Sequence, residues 1–270
     1  MPRDIRQGAE TNWQVIGEGE RPALAIHCML GAGEMWAPVL APLGAQISAI
    51  TFDLPGHGKS APWTPETVEP GAYQRLATQI AASFIERPVD LIGHSFGAIV
   101  ALRIAVAAPE AVRSLTLVEP VLFAAARNTA EWNTLRPHQD HLEALMAAGE
   151  HEEAARRFVR DWGVGLPWEA LPAHQRAQFI AQMAIIAEVA PGNFDDPGNI
   201  CREGGLEQID APVLLVHGDR SPPITARVCE SIAARLPDVG TACVPGAGHM
   251  LPLTHAQQLS ELIALNLDRS

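Results

Sequence analysis

Val89-Asp90-Leu91-Ile92-Gly93-His94-Ser95-Phe96-Gly97-Ala98-Ile99-Val100-Ala101-Leu102 decides how the rest of the chain reads. Its first four residues form an apolar run of strand type, and its last five carry a helical pattern. Between them stands the pentapeptide Gly93-His94-Ser95-Phe96-Gly97. Glycines flanking a serine at such a junction let the backbone turn sharply from strand to helix, which lifts the serine hydroxyl clear of a sheet. The serine also falls at a helix N-terminus, where free amides and the positive end of the helix dipole favour an anion forming beside it.

Working outward, further short apolar runs bounded by Gly, Pro or Asp lie at 24–28, 48–52, 115–118, 213–217 and 241–244. Runs that are apolar at successive positions suit strands covered on both faces. Helical patterns at 73–86, 96–108 and 226–236 alternate with them. The alternation predicts an α/β fold, a mostly parallel sheet with flanking helices. Between 124 and 205 the rhythm changes to helix alone, rich in Ala, Glu, Arg and Trp. The expected organisation is a core of residues 1–123 and 206–270 with a helical cap, 124–205, inserted between strands. Within the insertion Glu152/Arg156 and Glu153/Arg157 stand at i,i+4, the mark of a solvated helix face. Pro191-Gly192-Asn193 and Asp195-Asp196-Pro197-Gly198-Asn199 read as turns, a hinge or return loop at its end.

The 270 residues are 47% hydrophobic and 19% charged, which suits a folded globular chain rather than a disordered one. A net charge of −12 repels phosphate backbones and anionic lipid, and no basic patch offsets it. Neither nucleic acid nor a membrane is expected as a partner. Cys28, Cys201, Cys229 and Cys243 are far apart, with no paired spacing and no histidine placed to complete a zinc site. They read as reduced thiols of a cytoplasmic protein. The polar start Met1-Pro2-Arg3-Asp4-Ile5-Arg6-Gln7-Gly8 lacks the apolar core of a secretory signal.

With the elbow and the strand pattern in place, the chain resembles the α/β-hydrolase superfamily over essentially its whole length. Four further stretches carry the resemblance. Ile26-His27-Cys28-Met29-Leu30-Gly31 is similar to the family's His-Gly-x loop, with Cys28 in the place of glycine. That match implies an oxyanion hole made by the backbone N–H groups of Met29 and Phe96. Phe52-Asp53-Leu54-Pro55-Gly56-His57-Gly58-Lys59-Ser60 is similar to a loop whose role in the family is structural, so His57 receives no catalytic part. Val244-Pro245-Gly246-Ala247-Gly248-His249-Met250 follows the last strand, where the family keeps its histidine. By that match His249 is the general base for Ser95.

The fourth stretch departs from the common pattern. Most members carry the triad acid as the second acidic residue of a Gly-Asp-x-Asp-like segment after the seventh strand, and here the segment is Gly218-Asp219-Arg220-Ser221-Pro222. Ser221 stands in the acid's place. Glu119, which ends the strand after the elbow helix, matches the position used by a subset of the family's haloalkane dehalogenases and is the preferred acid. Asp219, two residues early in the expected loop, is the alternative, and the absence of any effective acid is a third reading.

A serine nucleophile excludes the haloalkane dehalogenase and epoxide hydrolase mechanisms, which need an aspartate there. The resemblance then implies a serine hydrolase, with a small or medium, largely apolar carboxylic ester or lactone as its small-molecule substrate. Carbon–carbon bond hydrolysis on the same fold, or a noncatalytic ligand receptor or scaffold, are the alternatives. Trp132, Trp162, Trp168, Phe158, Phe179, Met146 and Met183 are candidates to roof the pocket. No cofactor and no metal are implied, because the triad supplies nucleophile, proton shuttle and charge itself. A homo-oligomer stays open.

Overall fold

The computed structural model describes residues 2–64 and 69–270. In its central strands, neighbouring residues face opposite sides of the sheet and both sides are buried. Leu24, Ile26, Leu91, Leu115 and Leu215 pack into one apolar cluster, while Ala23, Ala25, Ile92, Val118 and Val216 pack into another on the far side. Unbroken apolar runs are therefore what this sheet requires.

Eight strands among the described residues form the sheet: β1 (Arg3–Arg6), β2 (Ala9–Ile16), β3 (Arg21–Ile26), β4 (Ile47–Phe52), β5 (Val89–His94), β6 (Val112–Val118), β7 (Val213–Gly218) and β8 (Val239–Val244). Their spatial order is β1-β2-β4-β3-β5-β6-β7-β8. Pairing is parallel from β4 through β8, and β1 and β2 add antiparallel at one edge. The helices are α1 (Ala37–Leu40), α2 (Ala72–Ala82), α3 (Phe96–Ala107), α4 (Ala130–Ala147), α5 (His151–Trp162), α6 (Ala173–Phe194), α7 (Pro223–Ala233), α8 (Leu251–Thr254) and α9 (Ala256–Leu267). Buried residues of α2, α3 and α7 join the first cluster, and those of α1 and α9 the second. The fold is α/β, with helices flanking a mostly parallel sheet.

The β1–β2 hairpin lies outside the sequence-based strand set. Gln7 and Gly8 connect it, with φ of 51° and 81°. Two positive φ values in a two-residue loop match the twist of the flanking strands. An edge hairpin can carry charge, as Arg3, Asp4 and Arg6 do here, and so shows no apolar run.

Helices α4, α5 and α6 all fall between β6 and β7. One expectation for this segment is corrected: Pro191-Gly192-Asn193 is not a turn but part of α6. Pro191 lies in the last turn of α6, and Gly192 lets the helix pack closely on α2, where a Cβ would stand 3.3 Å from Gln74 Oε1. The Asp195 amide still donates to the Pro191 carbonyl at 2.8 Å. The chain turns just beyond, where Asp196 and Asn199 adopt positive φ and the Asp196 carboxylate accepts the Ile200 and Cys201 amides. Glu153 and Arg157 pair at 2.7 Å on a partly exposed face of α5. Among the described residues, no helix is long and apolar enough to cross a membrane.

Candidate active site

Ser95 sits between β5 and α3 with φ 56° and ψ −117°, a backbone state that side chains other than glycine rarely adopt. Its neighbours explain how the turn closes. A Cβ on Gly97 would come 2.2 Å from the Ile26 carbonyl oxygen, and one on Gly93 would come 2.4 Å from the Gly97 carbonyl oxygen. The elbow exists because α3 can lie directly on β3 and β5 at these two positions. Gly97→Ala is expected to destabilise the fold by about 1–3 kcal/mol or more, because the clash is with backbone. A urea midpoint equal to that of the parent protein would contradict this close approach.

The elbow is tied to its neighbours by main-chain bonds that continue the sheet. The Ser95 amide donates to the Val118 carbonyl at 2.9 Å, and the Glu119 amide to the Val216 carbonyl at 2.7 Å. Ser95 and Glu119 thus emerge side by side at the carboxyl ends of β5 and β6, where ligands gather in parallel sheets. His249 reaches them from the loop after β8. Its Nε2 lies 2.9 Å from Ser95 Oγ, and its Nδ1 lies 3.0 Å from Glu119 Oε2. The three residues are 7%, 5% and 0% exposed for Ser95, His249 and Glu119.

An ionised carboxylate only accepts, so Nδ1 carries the imidazole proton and Nε2 is left to accept from the serine hydroxyl. Burial works against charge on Glu119, yet hydrogen bonds from His249, Ser221 and Gly218 hold its carboxyl below the usual range. His94 Nε2 donates to the His249 carbonyl at 2.8 Å, which fixes the backbone carrying the imidazole. Asp219 is occupied elsewhere, accepting the Gly246 amide at 2.7 Å.

Met29 and Phe96 both line the cavity over Ser95. Neither amide has a hydrogen-bond acceptor among the described residues. The intervening loop is braced from below. His27 Nδ1 donates to the Cys28 carbonyl at 2.6 Å, and the Gly31 amide donates to the same carbonyl at 3.2 Å. The Leu30 amide donates to His57 Nε2 at 3.1 Å. Cys28 is buried, and burial pushes its thiol up to about 12, which leaves it inert. Asp53 accepts the Gly33 and Lys59 amides and the Asn12 side chain, a structural task.

Burial holds three histidines of this framework neutral, lowering His27 to about 4 and His57 and His94 to about 3. Their unfolded counterparts take up protons near 6.5. Stability from this source is complete above about pH 6.5 and is lost as pH falls toward 4. The expected loss approaches about 1.4 kcal/mol per pH unit for each histidine. Urea midpoints at pH 7.5 and pH 5 check it, and equal midpoints would refute neutral burial.

The cavity has a volume of about 720 Å³. Its apolar walls include Phe123, Leu135, Leu142, Phe158, Trp162 and Phe194. The Trp162 ring meets the His249 imidazole edge-on, with centroids 4.8 Å apart. Of the seven roof candidates read from sequence, Phe158 and Trp162 line the cavity, while Trp132, Trp168, Phe179, Met146 and Met183 pack into the apolar core instead. Leu135, Leu142 and Phe194 were not singled out, because helical spacing cannot separate a cavity wall from core packing. Ser221 was noted only for the carboxylate it lacks. Among the described residues, no group of His, Cys, Asp or Glu is placed to hold a metal.

A parallel sheet that carries a serine on such an elbow, with a histidine and a carboxylate converging on it, defines the α/β-hydrolase class. The chain belongs to the alpha/beta hydrolase family, whose model matches residues 23–262, and it is a hydrolase. It is similar to pimeloyl-(acyl-carrier protein) methyl ester esterase of Serratia marcescens, 26% identical over 255 residues that cover 93% of this chain and 95% of that one. It is equally similar, at 26% identity over 92% of its length, to the dihydrolipoyllysine-residue acetyltransferase component of the acetoin cleaving system of Pseudomonas putida. The match spans 64% of that protein's own length. Among solved structures, a hydrolase from Pseudomonas aeruginosa PA01 shares the fold, with a TM-score of 0.73, 21% identity, and coverage of 98% of this chain and 97% of that one.

Proposed function

We propose that this protein is a serine hydrolase of small or medium, largely apolar carboxylic esters or lactones, working through Ser95, His249 and Glu119. The observation that carries the reading is the unbroken line of contacts from Ser95 Oγ to His249 Nε2 at 2.9 Å and from His249 Nδ1 to Glu119 Oε2 at 3.0 Å. In the first half-reaction Ser95 Oγ attacks the ester carbonyl carbon and its proton passes to His249 Nε2. The imidazolium so formed is stabilised by the Glu119 carboxylate. The negative charge on the carbonyl oxygen is received by the Met29 and Phe96 amides, and the N-terminus of α3 adds its dipole. Collapse of the tetrahedral intermediate breaks the ester C–O bond, and the leaving alkoxide takes the proton from His249. Water then repeats the sequence on the acyl-enzyme, releasing the acid and restoring Ser95.

Residues 124–205 act as a cap over a core of residues 1–123 and 206–270, and the walls that Leu135, Leu142, Phe158 and Trp162 contribute fit an apolar acyl group. The methyl ester named for the Serratia relative is in keeping with ester cleavage. The test is covalent labelling by a fluorophosphonate probe, together with turnover of p-nitrophenyl esters of increasing acyl length. Stoichiometric labelling and turnover that peaks at short or medium chains are expected. A folded protein that takes no label would favour a noncatalytic ligand-binding role.

A further inference from the structure

Glu119 is held by more than the imidazole it orients. Ser221 Oγ lies 2.6 Å from Glu119 Oε1, and the Gly218 amide donates to that same oxygen at 2.6 Å. Since an ionised carboxylate has no proton to give, the Ser221 hydroxyl is the donor. With Glu119 fully buried, these two bonds and the one from His249 take the place of water around the carboxylate.

The turn that carries Ser221 is itself fixed. Asp219 accepts the Gly246 amide, and the Arg220 amide donates to the Ala247 carbonyl at 2.9 Å. Both bonds tie the turn to the loop bearing His249. Pro222 and Pro223 follow at once and lead into α7, so the backbone beyond Ser221 has little freedom. Glu119 by contrast carries its carboxylate at the end of several rotatable bonds, on a backbone with φ of 51°. Its carboxylate must be turned so that Oε2, rather than empty space, meets Nδ1.

We propose that Ser221 is a positioning residue: it anchors Glu119 Oε1 and so sets the rotation of the carboxylate that presents Oε2 to His249. The proposal rests on the triad reading above and extends it. It also accounts for the pairing of residue types at the two positions. Two carboxylates at hydrogen-bond distance cannot both ionise, so an acid at 221 would oppose a charged Glu119, whereas a hydroxyl there donates to it. Glutamate at 119 and a hydroxyl at 221 form a matched pair.

The titratable groups facing Glu119 are His249 from the loop after β8, His94 from β5 and Cys229 from α7. None of them changes in the variants Ser221→Ala, Ser221→Thr and Ser221→Asp, which are compared with Ser95→Ala, rates being normalised to fluorophosphonate-labelled sites in the serine-bearing proteins. Ser221→Ala is expected to lower kcat/KM about 10- to 100-fold, mainly through kcat. Its carboxylate loses a donor and binds a proton more readily, so the acid limb of the kcat/KM profile moves to higher pH. Ser221→Asp moves that limb further in the same direction, and Ser221→Thr restores most of what Ala loses. A Ser221→Ala protein with the parent's kcat/KM and acid limb, alongside an inactive Ser95→Ala, overturns this inference alone. Retained turnover in Ser95→Ala overturns the triad reading on which it rests.

Discussion

Replacing Ser95 with Ala is expected to abolish fluorophosphonate labelling and lower kcat/KM by about 10⁵- to 10⁶-fold, leaving only what the amides and the cavity supply. The substitution removes one oxygen from a largely buried residue, and it leaves the main-chain bond from residue 95 to Val118 intact. A loss of activity therefore does not trace to a lost fold, and near-equal melting temperatures check that point. A nucleophile elsewhere in the chain would betray itself by labelling that survives. Cys28, the nearest thiol by sequence, is held protonated by burial and does not fill that role.

Glu119→Gln is expected to lower turnover by about 10⁴-fold with little change in stability. The amide fits the same space, and its single oxygen can still accept from Ser221 and Gly218, which both donate to Oε1 in the parent. Its NH₂ then faces His249 Nδ1, which must accept rather than donate. The imidazole proton moves to Nε2, and a protonated Nε2 cannot take the proton of Ser95. Asp219→Asn serves as the contrast, because its oxygen can still accept the Gly246 amide. Activity within about threefold of the parent is expected there, since the bond to Gly246 is kept with a weaker, uncharged acceptor and no contact to Glu119 or His249 is lost. The reverse pattern, with Asp219→Asn inactive and Glu119→Gln active, would transfer the role to Asp219.

The sequence spoke most clearly where one local constraint dominates. Parallel strands buried on both faces must be apolar at consecutive positions, so β3 to β7 are legible as runs such as Leu24-Ala25-Ile26 and Val213-Leu214-Leu215-Val216, whereas β8 at the sheet edge is legible as a strand but leaves Thr241 and Cys243 exposed. The elbow is legible because Gly93 and Gly97 mark close backbone approach on either side of a serine. The edge hairpin β1–β2 is nearly silent, for charged residues can occupy an open edge without penalty, although Gln7-Gly8 is a turn signal. Helix α9 carries a helical period in Leu259, Ile263 and Leu267, the apolar residues that it buries. The bond from Ser221 to Glu119 joins residues 102 positions apart and depends on the order of β6 and β7 in the sheet, which no local pattern records.

Trp162 closes α5 and rests against the imidazole of His249. On the proposed reading, the wall that meets a guest molecule and the group that shuttles its proton are in direct contact. Remodelling the end of α5 to admit a bulkier guest would then disturb the base as well, and selectivity and reactivity would change together.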